Sequence, residues 1–182
     1  SSEYRSWGTS TRAHNTVEVD DYNQRTVGVG EPILGYPGEW SSNNQFDVLS
    51  QTSTAYNFED LNIDVEHRRT ITFLKSGFWI VSDLMLPSDD ATEHSYKQLW
   101  HMPPEYGKTM TINQEKGTVE SNVNETNLII SSPDGNSIVR DDTGWYMTSW
   151  GAYEPAPYTY YLIENAKGNT GFNTVLMPYP NP

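Results

Sequence analysis

Histidine and arginine residues cluster in two short segments of this sequence. Arg12 and His14 lie in the first segment, and His67, Arg68 and Arg69 lie in the second. Arginines beside imidazoles suit the binding of a carboxylate group, because a guanidinium offers paired donors to its two oxygens. Ion pairs with the many acidic residues of the chain would explain the same arginines, so both interpretations stay open.

His67 belongs to an alternating segment in which it shares a face with Arg69, Ile71 and Phe73. Two polar side chains that enter a core need partners, and a carboxylate or a metal ion near His67 would supply one. Histidines can also combine with carboxylates in a zinc site, although a scattered histidine is more often a surface or hydrogen-bonded core residue.

Charge and composition exclude several classes of protein. The chain has 182 residues, no cysteine and a formal net charge of −13. This charge argues against a nucleic-acid-binding protein and against a free-standing binder of acidic polysaccharide. Without cysteine, disulfide scaffolds, cysteine-ligated zinc and thiol catalysis are excluded. No apolar run is long enough to span a membrane, and no signal peptide is visible at Ser1.

The elements that must position these residues are strands. Threonine, valine, isoleucine and aromatic residues dominate over alanine and leucine, which predicts an all-β protein with less than about a tenth of helix. We expect one domain over residues 1–182, an antiparallel β-sandwich. Its clearest element is a hairpin with strands at 66–75 and 78–85 and a turn at Ser76 and Gly77.

Further strands are expected along the rest of the chain. The first forty residues are predicted to be irregular except for a strand at 15–20, and one or two short strands are expected within 46–58. The remaining predicted strands lie at 96–101, 109–113, 117–121, 128–131, 138–140, 145–150, 158–164 and 172–177.

Four segments resemble, in order, motifs of the heparinase II/III-like polysaccharide lyases. The segment around His14, S-T-R-A-H-N-T-V-E-V-D followed by Gln24, is similar to that family's R-S-T-R-A-H-N-T-V-x-V-D-x-x-x-Q motif. The segment that begins at His67, H-R-R-T-I-T-F-L-K-S-G-F-W-I-V-S-D, resembles its H-R-R hairpin. The third, H-S-Y-K-Q-L-W-H-M-P, begins at His94, and the fourth includes G-W, P-A-P and F-N-T-V-L-M-P near the end of the chain.

The resemblance implies part of an enzyme. Such lyases join an N-terminal α/α toroid, which this chain lacks, to C-terminal antiparallel β-sheets, with the cleft between the two. The implied reaction is β-elimination of a uronic-acid-containing polysaccharide, alginate first or else a heparin- or heparan-type glycosaminoglycan. The implied partners are that acidic substrate and the toroid of the same protein, with no nucleic acid and no membrane. A secreted or periplasmic location goes with them. The alternatives are a non-catalytic carbohydrate-binding module and a structural β-sandwich.

The same resemblance suggests roles for particular residues. Some relatives bind a structural metal through the histidines of H-N-T and H-R-R and an acid between them, which corresponds here to His14, Glu31 and His67. Zinc is the first expectation, with calcium or manganese as alternatives and no organic cofactor. Other relatives place a histidine at the cleft, which makes His14 a catalytic candidate, with Arg12 neutralising the substrate carboxylate and Tyr56 contacting sugar. Alternation puts His67 on an apolar face and His14 on a polar one, so a shared metal requires a bulge or a strand edge.

Overall fold

The computed structural model describes residues 2–25, 35–58, 61–123, 126–149 and 151–180. Most of the described residues lie in strands and few in helices, so the prediction of an all-β protein is confirmed. The elements in chain order are α1 (Ser2–Gly8), a 3-10 turn (Thr11–Ala13), β1 (Val17–Val19), β2 (Glu39–Ser42), β3 (Phe46–Phe58), β4 (Ile63–Leu74), β5 (Phe78–Pro87), β6 (Glu93–His101), α2 (Pro104–Thr109), β7 (Thr111–Asn113), β8 (Thr118–Glu120), β9 (Thr126–Ser131), β10 (Ser137–Asp141), β11 (Trp145–Ser149), β12 (Ala152–Pro155), β13 (Tyr158–Lys167) and β14 (Thr170–Pro180).

Two antiparallel sheets and one separate hairpin contain these strands. The large sheet has the order β2-β3-β4-β5-β14-β9-β8-β7, the small sheet has the order β1-β6-β13-β10, and β11 pairs with β12. The predicted hairpin is confirmed as β4 and β5, but its turn has three residues instead of the two expected, because the register pairs Leu74 with Phe78. Gly77 closes its turn with a φ of +114°, a conformation that side chains with a Cβ rarely adopt.

The core lies between the inner faces of the two sheets. Phe172 and Met85 of the large sheet and Tyr161 of the small sheet are buried there, each no more than 1% exposed. The Tyr161 hydroxyl contacts the backbone carbonyls of Gly117 and Ile130, at 2.9 and 3.2 Å. Because a buried hydroxyl needs a partner, these contacts connect the small sheet to the large one at a fixed position.

The beginning of the chain differs from the sequence prediction, because α1 precedes β1. This helix is too short to be stable alone and depends on packing against the β11–β12 hairpin. Trp7 Nε1 donates to the carbonyl of Trp145 at 3.1 Å, and Tyr4 stacks on Tyr153 with ring centroids 4.8 Å apart. A seven-residue segment shows too little apolar periodicity to reveal such a helix.

Two further predictions change in detail. The strand expected at 15–20 is limited to Val17–Val19, and the region 46–58 forms one long strand with an irregular register between Ser53 and Tyr56. No helix within the described ranges is long and apolar enough to cross a membrane.

Candidate functional site

A cleft of about 290 Å³ lies between α1, the segment that follows it, the end of β6 and the β11–β12 hairpin. Aromatic rings and two imidazoles form much of its wall. This combination suits a sugar, because aromatic faces cover the apolar side of a sugar ring and imidazoles can hydrogen-bond to its hydroxyls. The lining residues are Trp7, Gly8, Ala13, His14, His101, Met102, Trp145, Tyr146, Met147, Tyr153 and Ala156.

His14 lies at the surface of this cleft, just after the 3-10 turn. Its Nε2 lies 3.1 Å from the carbonyl oxygen of Gly8, the last residue of α1. Since a carbonyl only accepts hydrogen bonds, this contact requires the proton on Nε2, and Nδ1 of the neutral ring is then a free acceptor. The structure thus places His14 where the sequence predicted a cleft residue and gives its ring a defined orientation.

His101, at the end of β6, is a second cleft histidine that the sequence analysis did not single out. Its ring stacks on Tyr158 with centroids 4.6 Å apart, and its backbone N–H donates to Asn15 Oδ1 at 2.7 Å. Its Nε2 is buried and has no hydrogen-bond partner in the described part of the chain. The W-H pair of the third resembling segment was the signal that could have identified it.

Burial lowers the pKa of His101 to about 4, although a hydrogen bond with the Arg12 backbone acts in the opposite direction. The ring is therefore neutral at pH 7. A neutral imidazole bonded at one nitrogen keeps the other as an acceptor, but Nε2 is enclosed, so His101 contributes a neutral ring to the cleft wall and not an accessible acceptor. His101 also contacts the segment that contains His14, through the Asn15 side chain and the Arg12 backbone.

Replacing His101 by phenylalanine tests this protonation state. In the unfolded chain a histidine titrates near 6.5, whereas the folded pKa of about 4 keeps the ring neutral. The unfolded state therefore binds more protons between these values, and the native protein loses stability as pH falls from 6.5 to 4. We expect His101→Phe to lose less stability than the unsubstituted protein over this interval, measured by urea unfolding at several pH values. If the unfolding free energies of the two proteins fell equally over this pH interval, the pKa assigned to His101 would be contradicted.

Arg12 is engaged by two carboxylates of its own chain. Its Nε lies 2.8 and 3.1 Å from the Glu18 carboxylate oxygens, and its Nη2 lies 2.5 Å from Asp21. Lys97 also contacts both acids. Ion pairing, one of the two interpretations of the arginines, therefore describes Arg12, whose side chain does not line the cleft.

His67 and Arg69 meet the carboxylate that their position on an apolar face predicted, and that carboxylate belongs to Asp83. Its Oδ1 lies 2.7 Å from His67 Nε2 and 2.6 Å from Arg69 Nε. Its Oδ2 accepts from Arg69 Nη2 and from Gln98 Nε2, each at 2.7 Å. Burial alone would raise the pKa of Asp83, but the hydrogen bonds from Arg69 and His67 outweigh it and hold that pKa well below its usual range.

The predicted metal site depends on a residue that lies outside the described ranges, Glu31. His14 lies on the cleft side, whereas His67 is buried and bonded to Asp83. In the described ranges no three histidine, aspartate or glutamate side chains come close enough to hold a metal ion. Arg69 already supplies a positive charge to Asp83, so the described residues alone do not fit a metal. The metal site stays a prediction.

Tyr56 is a core residue rather than a contact for sugar. It is 1% exposed, and its hydroxyl lies 3.2 Å from the Val17 carbonyl and 3.1 Å from the Tyr22 carbonyl. Burial raises the pKa of this phenol well above its usual value. Tyr56 does not contact a sugar, because its side chain is enclosed behind β1 and its hydroxyl proton is donated to backbone carbonyls.

Replacing Tyr56 by phenylalanine should reduce stability without affecting the cleft. The change removes the donor from the buried Val17 carbonyl and from the partly buried Tyr22 carbonyl, which costs about 1–3 kcal/mol of unfolding free energy. Tyr146→Phe is the matched control, because that ring is 41% exposed and lines the cleft. Urea unfolding should separate the two variants. Equal stabilities would argue against the assigned role of the Tyr56 hydroxyl.

The comparisons with known proteins agree with this architecture. Residues 1–164 match the family model described as Heparinase II/III-like, C-terminal. No curated protein matches the chain in sequence. The crystal structure of heparan sulfate lyase HepC from Pedobacter heparinus matches with a TM-score of 0.82 and 19% identity, over 99% of this chain and 26% of that one. A heparinase III gene product matches with a TM-score of 0.78 and 20% identity, over 98% of this chain and 26% of that one.

Identities of this size establish a shared fold and nothing finer. The chain spans about 26% of the length of these similar chains. The family model, by contrast, covers the chain from its first residue through most of β13, including both histidines of the cleft. The chain belongs to the Heparinase II/III-like, C-terminal family.

Proposed function

We propose that this chain forms one wall of the substrate cleft of a polysaccharide lyase that acts on a uronate-containing polymer of the heparan type. The observation that carries the proposal is the aromatic cleft in which His14 and His101 lie together on a domain of this family. The names of the similar structures, heparan sulfate lyase and heparinase III, favour a heparan-type substrate over alginate. Such polymers lie outside the cytoplasm, so a secreted or periplasmic location belongs to the proposal.

The proposed reaction is a β-elimination. A base removes the proton at C5 of the uronate, the bond between C4 and O4 breaks, and an acid protonates O4 as it leaves. A double bond forms between C4 and C5. The C5 proton is only weakly acidic, so the adjacent carboxylate must be neutralised while the base and the acid are held in position.

This chain supplies only some of these groups. His14, with Nδ1 free as an acceptor, has the chemistry of the base, and the neutral ring of His101 forms part of the cleft wall. Among the described residues, those that line the cleft include no lysine, arginine, aspartate or glutamate. Arg12 and Arg69 are paired with carboxylates of the chain. We assign the cation that neutralises the substrate and the second proton-transfer group to an N-terminal toroid of a longer protein.

The test compares the longer protein with the 182-residue chain on heparan sulfate, on alginate and on an uncharged polysaccharide. Formation of the unsaturated uronate is followed by its ultraviolet absorbance. We expect the longer protein to act on heparan sulfate, and the isolated chain to be inactive. Activity on alginate alone would correct the substrate, and activity of the isolated chain would overturn the assignment of missing groups to the toroid.

A further inference from the structure

The inner face of the large sheet carries an exposed apolar surface at one end, which we call the apolar shelf. It consists of Trp40, Leu49, Ile71, Phe73 and Trp79, which line a groove of about 220 Å³. Cross-strand pairing places them side by side, because Leu49 pairs with both Trp40 and Ile71, and Phe73 pairs with Trp79. Trp40 is 65% exposed, Leu49 38% and Trp79 36%, so the shelf is open in this chain.

The shelf lies on the side of the sheet that faces the core. Side chains alternate along a strand, so Ile71 and Phe73 of β4 share a face with Val65 and His67, which are buried. Ile71 also packs against the core cluster itself. The opposite face of the same hairpin is mixed, with Thr70, Thr72 and Ser82 beside apolar residues such as Ile80 and Leu84.

A sheet face of this kind is normally covered by a second layer. The small sheet covers the part of β4 that contains His67, and Arg69 donates to the backbone carbonyl of Asn15, just before β1. Ile71 and Phe73 lie further along β4, next to the exposed members of the shelf. The large sheet therefore extends its apolar inner face past its cover, and an uncovered patch of aromatic residues marks an interaction site.

We propose that the apolar shelf binds a polypeptide segment from the rest of the longer protein. This segment presents aliphatic or aromatic side chains to the shelf. The inference rests on the proposed function in one respect, that this chain is one domain of a longer protein. The similar chains are long enough to provide such a segment, because this chain covers about 26% of them.

Two observations favour a polypeptide over a sugar on the shelf. Phe73 and Trp79 stack on each other with centroids 4.8 Å apart and planes 26° apart, so they pair with each other instead of presenting two free faces to a sugar. The polar groups of the groove are also paired already, since Asp47 accepts from Ser42 and lies 3.1 Å from Lys75 Nζ. What remains is apolar surface, which another apolar layer covers best.

The position of the shelf links it to the cleft. Arg69 is two residues before Ile71 on the same strand face, and it donates to Asn15, the neighbour of His14 in the chain. The shelf therefore begins two residues along β4 from a contact with the segment that carries His14.

Hydroxyl-radical footprinting of the longer protein tests the proposal without reference to its activity. We expect Trp40 and Trp79 to be oxidised several-fold more slowly than their exposure in this chain implies. Tyr36 and Tyr22, which are 54% and 45% exposed and lie outside the shelf, should react freely. Rapid oxidation of Trp40 would overturn the proposal. Protection that disappears on dilution would also overturn it, because it would show that a second copy covers the shelf. Protection that appears only when oligosaccharide is added would show that a sugar covers it, and would overturn the proposal too.

A matched pair of variants gives a second readout in the same protein. Leu49 on the shelf and Leu84 on the opposite face have nearly equal exposure, 38% and 37%. If the shelf is covered, Leu49→Asn should lower the melting temperature several degrees more than Leu84→Asn, because only the first places an amide against an apolar layer. Equal shifts would overturn the proposal. A lyase assay that fails while the protection and the unequal shifts are present would reject the proposed reaction and leave the docking surface standing.

Discussion

Replacing Asp83 by alanine is expected to lower the free energy of unfolding by about 3–5 kcal/mol, the cost of leaving buried charges without their partner. The Asp83 side chain is completely buried, and its two oxygens serve Arg69, His67 and Gln98. The matched control is Asp142→Ala, which removes an ion pair with Arg140 from a side chain that is 69% exposed. That exposed pair should contribute less than about 1 kcal/mol, as measured by urea unfolding.

The effect of Asp83→Ala should also depend on pH. The pKa of Asp83 is lower in the folded protein than the ordinary value of 3.8, because the hydrogen bonds from Arg69 and His67 outweigh the effect of burial. The stabilisation is therefore complete above the unfolded pKa and is lost as pH falls through the lower folded pKa. We expect the difference between the two proteins to be full at pH 7 and to narrow below about pH 4. A difference that stays constant down to acid pH would contradict the assigned role of the carboxylate.

Local sequence patterns predicted only part of this arrangement. Alternation placed His67 and Arg69 on an apolar face and required a partner for them. The predicted two-residue turn implies a register in which Leu84 lies opposite Arg69, whereas the observed three-residue turn places Asp83 there. Because a shift of one residue moves every side chain of a strand to the other face, the sequence left the partner open between a carboxylate and a metal.

The cleft could not be predicted in the same way. Trp7, His14, His101 and Trp145 are far apart in sequence, and they meet only because α1 and the β11–β12 hairpin pack together beside the end of β6. The burial that makes His101 neutral comes in part from Tyr158 on another strand. No local pattern reports either arrangement, since both are products of tertiary packing.

The family resemblance indicated the position of one site residue and misled about two others. It identified His14, which the structure places in the cleft. It also suggested Tyr56 and Arg12, whose side chains are taken up by backbone carbonyls and by carboxylates. A motif preserves residue types, but only the fold decides which of them face a ligand.

Substituting His14 in the longer protein is expected to produce the largest loss of activity. A positioned general base contributes about 10²–10⁴-fold to the rate, so His14→Ala should reduce kcat by a factor in this range. His14→Gln is the matched control for structure, because its side-chain amide can still donate to the Gly8 carbonyl while it lacks a basic nitrogen. Both variants should therefore be comparably inactive, and His14→Gln should retain the melting temperature of the unsubstituted protein.

The kcat of His14→Gln on heparan sulfate, measured beside its melting temperature, distinguishes a catalytic His14 from a structural one. If His14 acts as the base, kcat falls by about two orders of magnitude or more while the melting temperature is unchanged. If kcat and melting fell together, and a chelator lowered the melting temperature of the unsubstituted protein to the same extent, His14 would be a ligand of a structural metal. An unchanged kcat would contradict any catalytic role for this cleft.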